Sequence, residues 1–159
     1  MLTVIVYDTK FGNTAKIAQA IGRGAGTAGS VRVFDTAEAS LPLAERPDLL
    51  LVGGPTQKRT MSPGLRGFVD SLAGHGISGF ATVSFDTRYR GSTWLMGSAA
   101  AAAAKQLGKA GGRPVAPPES FFIARGGQLE RQGLEPGELE RAEAWGRSVA
   151  AVASRGTEP

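Results

Sequence analysis

The sequence predicts an α/β fold, a doubly wound parallel sheet of five strands with helices on both faces, in three layers. Three observations carry this. Strand-like and helix-like segments alternate along the chain, which is the pattern of βα units and a parallel sheet. The run Asp48-Leu49-Leu50-Leu51-Val52 is apolar throughout after its first residue, as suits a strand covered on both faces. The chain has 159 residues, the size of one domain with a core of its own. The expected domain is 1–153, with 154–159 as a flexible C-terminal tail.

Leu2–Tyr7 is a β-branched run and reads as the first buried strand. Thr14–Arg23 follows with Ala15, Ile17, Ala18 and Ile21 at helical spacing, and Gly24, Gly26 and Gly29 are expected to stop it. Val31–Phe34 is a short second strand. Asp35–Pro47 reads as connector, with one helical turn near Ala37. Asp48–Val52 is the third strand, and Gly53-Gly54-Pro55 is expected to break it. Pro63–Leu72 is the next helix, with Pro63 in its first turn and Ser62 as N-cap. Ala81–Phe85 is the fourth strand. Ser98–Ala110 is an alanine-rich helix ended by Gly111-Gly112. Val115 and Ser120–Ile123 form a fifth strand region interrupted by Pro117-Pro118. Gly126–Glu135 is a glycine-bearing loop. Pro136–Ala153 is the last helix, with Leu139, Ala142, Trp145, Val149 and Val152 on one stripe.

Composition removes several chemistries. Cysteine is absent, which excludes disulfides, thiolate metal sites, iron–sulfur clusters and cysteine nucleophiles. A single histidine, His75, leaves no His-rich metal site. It lies between two glycines and reads as a residue at a helix end. Ser62, Ser92 and Ser98 read as caps, because no Gly-x-Ser-x-Gly elbow surrounds them. The net charge is +4, but the basic residues are scattered, so no nucleic-acid footprint is expected. No segment approaches a membrane span, and Leu2–Tyr7 is too short for a signal sequence. A cytoplasmic location is expected.

The segment Thr9-Lys10-Phe11-Gly12-Asn13-Thr14 joins the first strand to the first helix. A helix N-terminus offers unpaired N–H groups and a positive dipole end. Hydroxyls at Thr9 and Thr14 can donate to phosphate oxygens, and Gly12 lets the backbone come close. This is a phosphate cradle with no essential cation. It is neither a Walker A loop nor a Gly-x-Gly-x-x-Gly dinucleotide loop.

Here the chain resembles the flavodoxin family. Ile5-Val6-Tyr7-Asp8-Thr9-Lys10-Phe11-Gly12-Asn13-Thr14, followed by Ala18 and Ile21, is similar to the family's N-terminal pattern of two aliphatics, an aromatic, Thr, Gly and Thr before a helix. The resemblance implies the short-chain form, strand order 2-1-3-4-5 and non-covalent FMN. It implies that Thr9, Phe11, Gly12, Asn13 and Thr14 hold the phosphate, with Lys10 also cofactor-binding. Pro55, Thr56, Gln57 and Lys58 would lie along the ribityl chain and one flavin face. Asp86, Thr87, Arg88 and Tyr89 would lie on the other side. Tyr89 and Trp94 are the candidates for stacking, because the third-strand loop carries no aromatic. Asp86 reads either as a proton donor or as a helix or turn cap.

The implied function is electron transfer, and no catalytic acid–base pair is evident. An FMN-dependent NAD(P)H or quinone oxidoreductase is the alternative, and a flavin-free interaction domain is the second. Lys10, Lys58, Arg59, Arg88 and Arg90 would make the rim cationic, where flavodoxins generally carry acidic residues. A positive field favours the anionic reduced flavin. It also steers the chain towards an acidic-surfaced redox partner or an anionic small molecule. Arg59 and Arg88 are the groups that would meet a carboxylate or the phosphate of NADPH.

Overall fold

The computed structural model describes residues 1–38, 46–128 and 131–156. Strand β1 (Leu2–Tyr7) leads to helix α1 (Asn13–Ala25) and strand β2 (Ser30–Asp35). A single turn at Thr36–Glu38 matches the expected one near Ala37; the rest of that connector, 39–45, lies outside the described residues. Strand β3 (Leu49–Gln57) turns back into the short β4 (Thr60–Met61) and helix α2 (Pro63–Leu72). Then come β5 (Ala81–Tyr89), the four-residue helix α3 (Thr93–Met96), α4 (Ala99–Lys109), β6 (Arg113–Pro114), β7 (Glu119–Ile123) and α5 (Glu138–Arg155).

The sheet runs β2-β1-β3-β5, and β6 and β7 both pair with β5 in parallel along its far edge. The two segments serve as one fifth strand, so the order is the expected 2-1-3-4-5. Pro117 and Pro118 fall between them, where a missing N–H cannot bond to the ladder.

Strand pleating splits the core in two. Ile5, Leu49, Leu51, Phe85 and Phe121 face α1 and α5. Val4, Val6, Leu50 and Val52 face α2 and α4. Trp145 sits edge-on to Phe85 and Phe121, with ring centres 6.4 and 5.8 Å away. Each fully buried Phe stabilises the fold by roughly 1.5–3 kcal/mol.

Several boundaries differ from the sequence reading, and close packing explains most. Gly24 lies inside α1 and does not stop it; a Cβ there would come 1.9 Å from the Glu143 carbonyl of α5. Gly146 of α5 makes the reciprocal approach, 2.3 Å from the Ile21 carbonyl. The buried stripe of α5 therefore centres on Ala142, Gly146, Val149, Ala150 and Ala153, while Leu139 and Val152 reach its exposed border. Gly53 and Gly54 do not break β3. The Phe85 ring would overlap a Cβ on Gly53 at 2.4 Å, and Leu65 one on Gly54 at 2.8 Å. The glycines make room for side chains across the sheet, and β3 runs on to Gln57. Strand β5 likewise continues to Tyr89 because β7 pairs with it from Phe85 to Tyr89. Asp86–Tyr89 is thus strand and not loop. Helix α3 was not expected, and α5 runs to Arg155, two residues past Ala153.

Candidate functional site

Strands β1, β3 and β5 end at one edge of the sheet. A cleft opens there, lined by Lys10, Phe11 and Asn13 after β1, Pro55–Gln57 at the end of β3, and Thr87–Tyr89 at the end of β5. Ile123 and Gln132 complete it. Nine of the residues singled out from sequence therefore converge on one cavity, at the place where open α/β sheets bind ligands.

The rest take other positions. Thr9 and Gly12 shape the loop behind the cleft: Thr9 Oγ1 accepts the Gly12 N–H at 3.0 Å. Thr14 is buried, its hydroxyl 2.7 Å from that of Thr87. Lys58 and Arg59 form the turn of the β3–β4 hairpin, both with positive φ (46° and 70°). Trp94 does not reach the cleft; it is 80% exposed on α3, where its carbonyl accepts from Arg59 at 2.8 Å. Ser92 begins α3 without a side-chain cap bond. His75 is exposed, with Nδ1 2.6 Å from the Ser71 carbonyl.

Helices α1, α2 and α4, which follow β1, the β3–β4 hairpin and β5, differ at their N-termini; the four-residue α3 also lacks a side-chain cap bond and an acidic first turn. In α4, Thr56 Oγ1 accepts the Ala99 N–H (2.8 Å), Asp86 Oδ2 the Ala100 N–H (3.0 Å) and Ser98 Oγ the Ala101 N–H (3.1 Å). All three orphan donors are filled by side chains. In α2, Ser62 Oγ accepts from Leu65 N at 3.4 Å and donates to Asp8 Oδ2 at 2.5 Å, so a carboxylate lies at that helix start too. Helix α1 has neither. Its N-cap is Gly12 at φ 91°, no side chain caps it, and its first turn has no acidic residue. A Cβ on Gly12 would meet nothing within 4 Å.

Asp86 is fully buried and does not face the cleft. Its Oδ2 accepts from Thr56 Oγ1 (3.0 Å), Ser98 Oγ (2.7 Å) and Ala100 N (3.0 Å). The capping reading therefore fits its geometry, and the placement as a flavin contact or proton donor does not.

Among the described residues, the cleft wall carries Lys10 and Arg88 and no carboxylate. Arg88 is 9% exposed; Nε donates to Ser120 Oγ (2.9 Å), and Nη1 to the carbonyls of Tyr89 (3.2 Å) and Gly91 (3.0 Å). Lys10, Lys58, Arg59 and Arg125 form no ion pair among the described residues, whereas Arg90 pairs with Glu135 at 2.8 Å. The hydrogen bond to Glu135 holds the Arg90 guanidinium above its ordinary pKa. Tyr89 turns its hydroxyl to Gln132 Oε1 and carries the Arg125 guanidinium 5.2 Å from its ring centre. Beside the site, burial pushes the Tyr7 phenol up, helped by the carboxylates of Asp35 and Glu38.

Sequence reasoning missed Gln132. Its carbonyl accepts from Asn13 Nδ2 at 2.8 Å. It reaches the cleft because the chain doubles back on β7 through the bridge of Ile123 to Leu134, which no local pattern announces.

The donor set fits FMN. An uncapped helix start suits a phosphate dianion, the wall opposes no negative charge, and Tyr89 supplies an aromatic ring. Among the described residues, no helix is long and apolar enough to cross a membrane.

A family model for flavodoxin matches residues 5–145. No curated protein sequence matches the chain. Among solved structures, an archaeal flavodoxin superposes with a TM-score of 0.75 at 19% identity, over 97% of this chain and 99% of the other. Oxidised flavodoxin 1 from Bacillus cereus gives 0.74 at 17% identity, covering 99% and 100%. A flavodoxin, WrbA-like protein from Agrobacterium tumefaciens gives 0.72 at 21% identity, covering 97% and 98%. At these identities the likeness is one of fold.

Proposed function

The chain belongs to the flavodoxin family, and from that premise we propose how its own residues hold FMN and meet a partner. The family binds FMN and transfers electrons to redox partners, and this chain is an FMN-binding electron-transfer protein of that kind. Bound FMN supplies the redox chemistry, and the protein sets its affinity, access and potential.

One observation carries the assignment of residues: among the described residues, α1 alone of α1, α2 and α4 has neither a side-chain cap nor a carboxylate at its N-terminus. The N–H groups of Asn13, Thr14 and Ala15 are the phosphate donors on this reading, with Gly12 giving close approach and Thr9 and Thr14 holding the loop in shape. Lys10 adds a screened cation at the mouth. Pro55–Gln57 and Thr87–Tyr89 take the ribityl chain and ring, with Tyr89 as the aromatic neighbour. Lys58, Asp86 and Trp94 lie outside the contact set. The same proposal treats 1–153 as one domain and places it in the cytoplasm.

The partner we infer is acidic-surfaced. Lys10 lines the cleft, Lys58 and Arg59 form the neighbouring hairpin turn and Arg125 lies beside Tyr89, all without ion-pair partners among the described residues, so a negative surface gains from docking there. Added salt should slow electron exchange with such a protein.

The test is an absorption spectrum of the purified protein from about 300 to 600 nm, before and after adding FMN and removing the excess. Two visible bands that remain with the protein are expected. A spectrum that stays empty overturns the assignment. Steady oxidation of NAD(P)H by the protein alone would overturn the carrier role while leaving the FMN site.

A further inference from the structure

Asp86 caps α4, but an asparagine would serve that purpose. An amide carbonyl at the position of Oδ2 would still accept from the Ala100 N–H and from one of the hydroxyls of Thr56 and Ser98, with its two lone pairs. What aspartate adds is a second oxygen and a charge. The second oxygen, Oδ1, is buried and has no hydrogen-bond partner. Leaving such an oxygen unpaired costs stability. Its nearest cation is Arg88 Nε at 3.8 Å. The two groups do not hydrogen-bond: Nε donates to Ser120 Oγ, and Nη1 to the carbonyls of Tyr89 and Gly91. The contact is Coulombic, between groups that are 0% and 9% exposed. Arg88 faces the cleft and Asp86 lies behind it.

We propose that Asp86 is the internal counter-charge to Arg88 and a positioning residue that sets the potential of FMN in this cleft. The proposal rests on the FMN reading above. The Arg88 guanidinium is held against the wall where the ring would lie, and alone it would favour the reduced, anionic ring over the oxidised, neutral one. Asp86 offsets that charge from the far side. The pair then presents little net charge, and its burial protects it from salt. Asp86 also fixes Thr56, so one carboxylate reaches both the β3 and β5 walls of the cleft.

The experiment measures the potential of FMN-loaded protein against a reference dye, with FMN affinity and melting temperature alongside. Asp86→Asn keeps the acceptor and removes the charge. The expected result is about a tenfold rise in affinity for reduced over oxidised FMN, which for a two-electron couple is about 30 mV upward. The shift should persist at high salt. Arg88→Gln should move the potential the other way, and the double variant should return close to the parent. A merely structural Asp86 would lower FMN affinity or melting temperature and leave the potential unmoved; that result in folded Asp86→Asn overturns the proposal. If Asp86→Asn does not fold, Arg88→Gln decides: an unchanged potential overturns the proposal. Parent protein that binds no FMN overturns both this proposal and the reading beneath it, whereas parent protein that binds FMN with insensitive variants overturns this proposal alone.

Discussion

Helices α1 and α4 start at the same edge of the sheet, and each brings three N–H groups that its own backbone cannot satisfy. In α4 those groups end on Thr56, Asp86 and Ser98. In α1 no side chain of the described residues takes them. Propensity favours α4, with six alanines in eleven residues, over α1 with its two glycines and two isoleucines, but what fills each helix end is set by what precedes it. The chain enters α4 through Ser98 in an extended conformation, φ −152° and ψ 121°, which turns a hydroxyl onto the helix end. It enters α1 through Gly12 in the left-handed region, which has no side chain to offer. One helix end is finished by side chains, and the other is capped by no side chain among the described residues. Helix α5 is an instructive third case. It also begins with a left-handed glycine, Gly137 at φ 84°, and has no side-chain cap, yet Glu138 and Glu140 fill its first turn. A left-handed glycine therefore does not make an anion site by itself. The lack of a carboxylate does the rest.

The strongest way to break the comparison is to make α1 resemble α4. Gly12→Asp places a carboxylate on the open helix end, and FMN affinity should fall at least about 100-fold, or about 2.7 kcal/mol. Gly12→Ala is the control: its Cβ has open space, so it reports only the left-handed backbone, at about 1–2 kcal/mol of stability. Equal FMN affinity in the two variants, read by titration of ring fluorescence, would remove the phosphate from α1.

The next largest effect tests α5. Glu138 is buried, accepts the Phe122 N–H at 2.6 Å and pairs with Arg141 at 2.7 Å. Burial raises its pKa, but the Arg141 guanidinium and the Phe122 N–H outweigh it, and the carboxyl titrates below its ordinary value. A depressed carboxyl contributes stability that is fully present above its unfolded pKa and lost as pH falls through the folded one. Glu138→Gln should cost about 1.5–3 kcal/mol at pH 7. It should also flatten the acid limb of the melting profile below the ordinary pKa of 4.5. An unchanged acid limb would show that the acid sensitivity lies elsewhere.

The comparison also marks what was legible in the sequence. Ser62, Pro63 and Ser98 gave correct helix starts because capping is local chemistry, written within a few residues. The turn from β1 into α1 through Gly12 was legible for the same reason. Gly24, Gly53 and Gly54 misled because a glycine that breaks an element and one that admits a neighbour look alike in one dimension. Here the neighbours, Glu143, Phe85 and Leu65, are remote in sequence. Asp86 and Thr87 read as loop because they are polar. They are strand because β7 pairs beside them, and the polarity belongs to the site and to the α4 cap. Trp94 was an aromatic at a suitable distance along the chain, but α3 carries it outward. A smaller effect follows from the α4 side. Ser98→Ala removes the acceptor for Ala101 and a donor to Asp86, and should cost about 1 kcal/mol in urea unfolding. A change below the error of that measurement would mean that Asp86 and Thr56 alone finish the helix end.

The smallest expected effect separates the two sources of positive field in the cleft. The helix end consists of fixed N–H dipoles beside buried Asn13 and Thr14. Lys10 is an exposed ammonium resting 5.2 Å from the Phe11 ring centre. Exposed charges are screened by salt and contribute little. Lys10→Gln should therefore weaken FMN only about twofold to threefold at low salt, and not at all near 1 M, where the Debye length is about 3 Å. The dipoles act at contact distance and should retain most of the affinity at that salt. If Lys10→Gln instead costs as much as Gly12→Asp, the cation and not the helix end binds the phosphate, and the contrast between α1 and α4 loses its functional meaning.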